Sequence, residues 1–266
     1  MNQKDFIKNY DFKFKKKFGQ NFLTDDNVLN NIVNSALVDD KTLVIEIGCG
    51  AGALTKKILE KTSMFIGYEI DTTLKPILDT LNTNIIYDDF LNRNVPNDIL
   101  SYNYDKLYVI ANLPYYITTP IITKIIESKL NVDKIVVMVQ KEVGDRFSAK
   151  PNTKDYNSLT IFMNYYFNVK KLFVVSKNVF IPKPNVDSVI VSFERRNEKY
   201  EVRNEDLFFN LVRDSFTQKR KTLRNNLKNY DFEKVLTVLR KYGFDENVRA
   251  EALSIDIFVE ISNALS

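Results

Sequence analysis

Three of the chain's seven glycines, Gly48, Gly50 and Gly52, fall within five residues in "VIEIGCGAGALT". Glycine tolerates positive φ and lets a ligand approach the backbone closely, so this crowding marks a ligand-binding turn; one glycine would satisfy a merely tight turn. The third glycine follows the second by two residues, where a dinucleotide fingerprint needs three, and no Gly-Lys-Ser/Thr of a P-loop follows. Glu69 lies 17 residues beyond Gly52, a position from which a carboxylate binds both hydroxyls of a ribose. A nucleoside ligand fits these two features. Asp89, in "YDDF", can then accept a hydrogen bond from the exocyclic amine of an adenine, although a solvated loop acid reads almost as well. Asp71 precedes a helical run and reads as an N-cap rather than a ligand.

A second constellation is "IANLPYYIT", residues 110–118. An apolar run ends at Asn112, turns at Pro114 and displays two tyrosines. The Asn112 side-chain carbonyl can accept a hydrogen bond from an amine substrate, and Pro114 restricts the turn so that the Leu113 or Pro114 carbonyl offers a second acceptor. Tyr115 supplies a flat stacking face. Two acceptors beside one aromatic face suit an amino group on a planar heterocycle.

The chain contains no histidine and a single cysteine, Cys49. That composition removes Ser-His-Asp and Cys-His nucleophilic sites, His-ligated metals, multi-cysteine zinc sites and an intrachain disulfide. No metal is expected. Chemistry must run on carboxylates, amides, hydroxyls, backbone dipoles or a bound cofactor.

These residues need a scaffold, and the apolar pattern supplies one. "LVIEI", "MFIGYE", "NIIY", "KLYVIAN" and "KIVVMVQ" read as short buried strands alternating with helix-like "ALTKKILEK", "TLKPILDTL" and "TPIITKIIESK". Such alternation predicts a parallel sheet with helices on both faces, and ligands then bind at the carboxyl ends of its strands. Gly48, Glu69, Asp89 and Asn112 would share that rim. "LFVVS" and "SVIVSFERR" add two late strands. After a charged hinge, "ERRNEKYEVRNED", the pattern of "LFFNLVRDSF", "FEKVLTVLRKYG" and "IDIFVEISNAL" is helical. The expected division is residues 1–196, an N-terminal arm plus an α/β domain, and 197–266, a small all-helical domain.

At 266 residues and 44% hydrophobic, the chain can bury a full core, and no apolar run approaches the roughly 18 residues of a membrane helix. The Lys-rich start lacks the apolar stretch of a secretory signal, and Asp5 and Asp11 interrupt it as a presequence, so a cytoplasmic location is expected. The net charge of +4 is unevenly placed. Six lysines against two aspartates occupy the first 20 residues, and six basic residues against Asp214 occupy 213–228. Such clusters suit a polyanion partner as well as they suit solvated faces.

The glycine loop, the acids after the second and third strands, and Asn-Leu-Pro-Tyr after the fourth resemble the S-adenosylmethionine-dependent adenine-N6 methyltransferases, with a Rossmann-like sheet. "KKFGQNFL", "NLPYYITTPII", "VQKEVGDRF", "FIPKPNVDSVIVSF" and "FTQKRKTLRNNL" narrow the resemblance to the small-subunit ribosomal RNA adenine dimethyltransferases. It implies S-adenosylmethionine as cofactor, held by Gln20, Asn21, Leu23, Gly48, Gly50, Gly52, Glu69, Asp89 and Asn112. It further implies an adenine N6 target met by Asn112, Leu113, Pro114 and Tyr115, with Phe180 clamping the flipped base opposite Tyr115. The small ribosomal subunit and its 16S RNA would be the partner, docked through Lys219, Arg220, Lys221 and Arg224 within one and a half helical turns, the enzyme acting as a monomer. Cys49 stands where the family commonly has proline, and Asn152 and Asn157 stand where it has glycines. Three rivals are a large-subunit RNA methyltransferase of the macrolide-resistance type, a non-catalytic assembly factor of the same fold, and a nicotinamide-linked dehydrogenase, which the glycine spacing and Asn-Leu-Pro-Tyr disfavour.

Overall fold

The computed structural model describes residues 15, 19–128 and 130–266; the lysine-rich start, and Lys16–Phe18 of "KKFGQNFL", lie outside the described residues. In chain order the elements begin with β1 (Phe22–Leu23), α1 (Asp26–Ala36), β2 (Thr42–Ile47), α2 (Ala53–Leu59), β3 (Phe65–Tyr68), α3 (Lys75–Leu78) and β4 (Ile85–Ile86). They continue with α4 (Val95–Asp98), β5 (Lys106–Asn112), α5 (Thr118–Glu127), β6 (Lys134–Gln140), α6 (Lys141–Phe147), α7 (Ser158–Tyr166) and β7 (Phe167–Val175). The last are β8 (Phe180–Ile181), β9 (Ser188–Arg195), α8 (Glu205–Ser215), α9 (Leu223–Asn226), α10 (Phe232–Lys241) and α11 (Ile255–Leu265).

Seven strands form one sheet in the order β4-β3-β2-β5-β6-β9-β7, with β4 through β6 parallel and β9 antiparallel to β6. Continuous apolar runs such as "TLVIEI" in β2 and "KIVVMVQ" in β6 are buried along nearly their whole length, as strands covered on both faces must be. The Rossmann-like reading therefore holds. Helix α1 escaped the sequence reading, which began its alternation at residue 43. Its signal was present: Asp25 accepts from the Val28 N–H at 3.0 Å as N-cap, and Leu29, Ile32, Val33 and Ala36 recur at helical spacing and are buried. A separate two-stranded pair joins β1 to β8, setting Phe22 opposite Ile181 and Leu23 opposite Phe180.

The chain divides into two compact units, one holding the residues through Gly144 plus Lys170–Glu194, the other Asp145–Val169 plus Arg195–Ser266. The second unit thus differs from the expected contiguous segment 197–266 by taking in residues 145–169. The reason is apolar: Tyr156, Ile161 and Tyr165 from the α7 region are buried in one cluster with Phe208, Leu211, Leu239, Phe258 and Ile261. Asn152 and Asn157 both find local use there. Asn152 adopts φ +64, a conformation asparagine tolerates better than most residues, and its N–H donates to the Glu251 carbonyl at 2.8 Å. Asn157 caps α7 in a reciprocal capping box with Thr160.

Candidate active site

Strand order reverses between β2 and β5, so the loops leaving these neighbours splay apart and open a crevice at the carboxyl end of the sheet. The glycine loop leaves β2 and Asn-Leu-Pro-Tyr leaves β5. The cleft between them is open to solvent and is lined by Gln20, Asn21, Gly48, Glu69, Asn112 and Tyr115 among others. Leu23, Gly50, Leu113 and Pro114 line it too. An adjoining open cavity is bordered by Ile70, Asp89, Phe90, Leu91 and Tyr116, and Gly48, Ile70 and Pro114 face both spaces.

Gly48 turns the chain at φ +77 while its N–H donates to the Tyr68 carbonyl at 2.8 Å. Gly52 lies at the start of the helix that follows the loop. It is not among the residues lining the cleft; it begins α2 at φ +78, the left-handed conformation that favours glycine, and a β-carbon there would also lie 2.7 Å from the Leu81 Cδ1 tip. Glu69 follows β3 and is 5% exposed. Its Oε2 accepts the Gly50 N–H and its Oε1 the Asp71 N–H, each at 2.8 Å. These bonds aim a carboxylate with lone pairs to spare at the glycine loop. Asp89 caps the turn after β4 through Oδ1, which accepts the Leu91 N–H at 2.9 Å.

At the β5 edge, Asn112 Nδ2 donates to the Asn21 backbone carbonyl at 3.0 Å. Committing the amide nitrogen in this way turns the carbonyl oxygen, Oδ1, into the open acceptor. The Pro114 carbonyl already accepts the Ile117 N–H and the Thr118 hydroxyl, both at 3.2 Å, which leaves the Leu113 carbonyl as the second acceptor. Tyr115 is fixed at its phenol end, where its hydroxyl and that of fully buried Ser188 lie 2.7 Å apart. Ser188 went unnoticed in the sequence, since nothing in "VDSVIV" tells a contact with Tyr115 from an ordinary strand start.

Family comparison decides what such a cleft belongs to. The model of the ribosomal RNA adenine dimethylases matches residues 11–266. The chain belongs to this family. It is 46% identical over 277 residues to the ribosomal RNA small subunit methyltransferase A of Bacillus mycoides (strain KBAB4), covering 98% of the chain and 94% of the relative, and equally similar to that of Bacillus anthracis (strain A0248). Among solved structures, a dimethyladenosine transferase from Plasmodium falciparum superposes with a TM-score of 0.76 at 28% identity, covering 90% of this chain and 95% of the other. The 23S rRNA methyltransferase ErmE shares the fold, with a TM-score of 0.70 at 22% identity over 92% and 99% of the two chains.

The donor set of the cleft suits the family's cofactor, S-adenosylmethionine. The nucleoside half needs a carboxylate for its diol and an acceptor for its amine, and Glu69 and Asp89 lie on the two adjoining cavities. The residues fit. Burial pushes the Glu69 carboxyl up to about 7 against the pull of the Asp71, Gly50 and Ile70 backbone N–H groups. Glu46, buried within β2 and also lining the cleft, is pushed up to about 8 by burial; the 2.6 Å bond from the Thr55 hydroxyl opposes this and the neighbouring Glu69 charge adds to it. Sequence reasoning passed over Glu46, although an acid inside an otherwise apolar strand was a signal.

Three of the expected groups are already engaged or differently placed. Phe180 is 3% exposed, packs in the core of its unit beside Phe22 and Leu23, and lines neither cavity; its pairing across β1/β8 spends the ring on packing. Gln20 lines the cleft, yet its side chain is engaged with Asp71 and the Lys15 backbone. Lys219, Arg220 and Lys221 occupy a turn between α8 and α9 rather than a helix, because Thr222 starts α9 as its N-cap. Of the four basic residues, Lys219 bonds the Lys154 carbonyl, and Arg224 pairs with Glu246 and stacks over Phe232. Arg220 and Lys221 are exposed.

Proposed function

We propose that the protein transfers methyl groups from S-adenosylmethionine to N6 of two adjacent adenines in a loop near the 3' end of small-subunit ribosomal RNA, giving N6,N6-dimethyladenosine during subunit maturation. The observation that carries this reading is the Asn112 amide, held by the Asn21 carbonyl so that Oδ1 is open in the same cleft as Glu69. Family membership supplies the substrate class.

When bound, S-adenosylmethionine supplies a methyl group on a positively charged sulfur, so no side chain needs to act as a nucleophile. Glu69 would hold the ribose hydroxyls and Asp89 the adenine amine of that group. The lone pair of the target N6 is delocalised into its ring. Asn112 Oδ1 and the Leu113 carbonyl, by accepting the two N6 hydrogens, favour a pyramidal nitrogen and stabilise the positive charge that develops as the N–C bond forms, a carbonyl counterpart of an oxyanion hole. Tyr115 supplies the stacking face, and Ser188 sets its angle. Burial raises the Tyr115 phenol, against the Ser188 bond, so Tyr115 works as a neutral ring and not as a base. The methylated ammonium loses its proton to water, which explains how a chain without histidine can do the chemistry. The reaction repeats on the same nitrogen.

An adenine enters such a cleft only unpaired or flipped. Phe180 can serve as the opposing face only if its ring leaves the core position described above. Of those four basic residues, Arg220 and Lys221 are the better placed to meet RNA phosphates, since Lys219 and Arg224 already have partners. No helix among the described residues is long and apolar enough to cross a membrane; a cytoplasmic location and a monomeric state belong to the proposal. Digesting treated small-subunit RNA to nucleosides and weighing them tests the chemistry. N6,N6-dimethyladenosine is expected; methylation confined to another base or to ribose would refute it.

A further inference from the structure

Asp71 is part of neither the nucleoside-binding set nor the methyl-transfer set, yet it is 1% exposed and its carboxylate gathers four donors. They are the Thr73 N–H at 3.1 Å, and the Thr73 hydroxyl, Lys15 Nζ and Gln20 Nε2, each at 2.6 Å. Capping the short turn Thr72–Leu74, the role its sequence position suggests, uses only the first of these. The Lys15 and Gln20 bonds reach the N-terminal arm. Gln20 is gripped at both ends, because its Oε1 accepts the Lys15 N–H at 2.8 Å. One residue on, Asn21 closes a local turn by donating to the Gly19 carbonyl at 3.1 Å, and its own carbonyl receives Asn112 Nδ2. On its other side, the Asp71 N–H holds Glu69.

We propose that Asp71 is a positioning residue: through Gln20 and Asn21 it sets the orientation of the Asn112 amide, and through Glu69 it ties that orientation to the cofactor cleft. The proposal rests on the methyl-transfer reading above. Its physical content is simple. An amide rotates freely unless one end is committed, and what commits Asn112 is a backbone carbonyl on an arm whose neighbouring side chain is anchored by Asp71. The anchor is charged. Burial alone would raise the Asp71 carboxyl, and the bonds from Lys15, Thr73 and Gln20 outweigh it and bring the group below its ordinary value.

Asp71→Asn separates this role from capping, since an asparagine whose Oδ1 still accepts the Thr73 N–H and Lys15 sets an NH2 group, in place of Oδ2, against the Gln20 Nε2 donor. Gln20→Leu removes the link while leaving Asp71 intact. Both variants and their combination are made in the full-length chain. Three quantities are read: S-adenosylmethionine affinity by calorimetry, single-turnover methylation of unmodified small subunits at saturating cofactor, and the thermal midpoint. Each single variant should lower the single-turnover rate about tenfold and cofactor affinity about three- to tenfold with little change in midpoint, and the double should be no slower than the slower single. Asp71→Asn with wild-type rate and affinity, a fall in midpoint alone, or losses that multiply in the double would overturn the proposal. Failure of the wild type to methylate small subunits would instead sink the functional reading. Asp71 is then judged by calorimetry, where unchanged affinity in Asp71→Asn counts against it.

Discussion

Replacing Asn112 by alanine probes the chemistry with little disturbance to either ground state. The side chain is half-buried at the end of β5, and its one hydrogen bond runs from Nδ2 to the Asn21 carbonyl. Losing a neutral bond of this kind is worth about 0.5–1.5 kcal/mol, so S-adenosylmethionine and RNA affinities should stay within about tenfold of wild type. The transition state loses more. Oδ1 is then absent at the moment N6 becomes positive, and deleting one preorganised electrostatic partner costs about 10²–10³ in rate, or about 2.7–4 kcal/mol. Single-turnover methylation of purified unmodified small subunits, with cofactor and subunits both saturating, isolates that term from binding. A near-normal single-turnover rate would refute the reasoning and make the amide a structural tie between β5 and the arm. A loss confined to affinity would do the same.

The remaining predictions concern the groups around that amide. Glu69→Ala should weaken S-adenosylmethionine binding by about 1.5–3 kcal/mol, checked by calorimetry. Because ribose hydroxyls donate to the ionised carboxylate and Glu69 titrates at about 7 in the free protein, cofactor affinity should fall by up to about tenfold per pH unit below 7 and level off above it. The stability of the free protein runs the other way. Glu69 and Glu46, raised from an ordinary 4.5 to about 7 and about 8, leave the folded state holding more protons than the unfolded, so stability declines from about pH 4.5 and flattens above about 8, and Glu46→Gln should shallow that slope in denaturant titrations. Ser188→Ala and Tyr115→Phe should each slow single-turnover transfer by a similar factor, and the double variant should be no slower than either, since both delete the same bond; multiplying losses would show separate roles. Replacing Arg220 and Lys221 by Gln should weaken subunit binding, flatten its salt dependence by about one slope unit per lost phosphate contact, and leave cofactor affinity intact.

What could be read from the sequence follows a physical division. Strands β2, β3, β5 and β6 were visible because burial on both faces writes an unbroken apolar run, and the rim acids and the Asn112 turn were visible because they follow those runs directly. Side-chain commitments were not visible. That Gln20 is spent on Asp71, that Gly52 yields to Leu81, and that the Pro114 carbonyl is already occupied all depend on neighbours distant in sequence or on turn geometry. Phe180 shows the limit of carrying a role over by motif: its place beside the prolines could be read, but its burial against β1 could not. The helical segment 158–166 was lost to the second unit for a similar reason, because its apolar residues look the same whichever core they join.

The central claim is that this cleft methylates adenine N6 in small-subunit ribosomal RNA. Incubating the protein with methyl-labelled S-adenosylmethionine and separated, unmodified small and large ribosomal subunits, then mapping the labelled nucleotides, tests it most directly. Label should appear in the small subunit alone, on two adjacent adenines near the 3' end of its RNA. Label in large-subunit RNA, or none in either, would contradict the account.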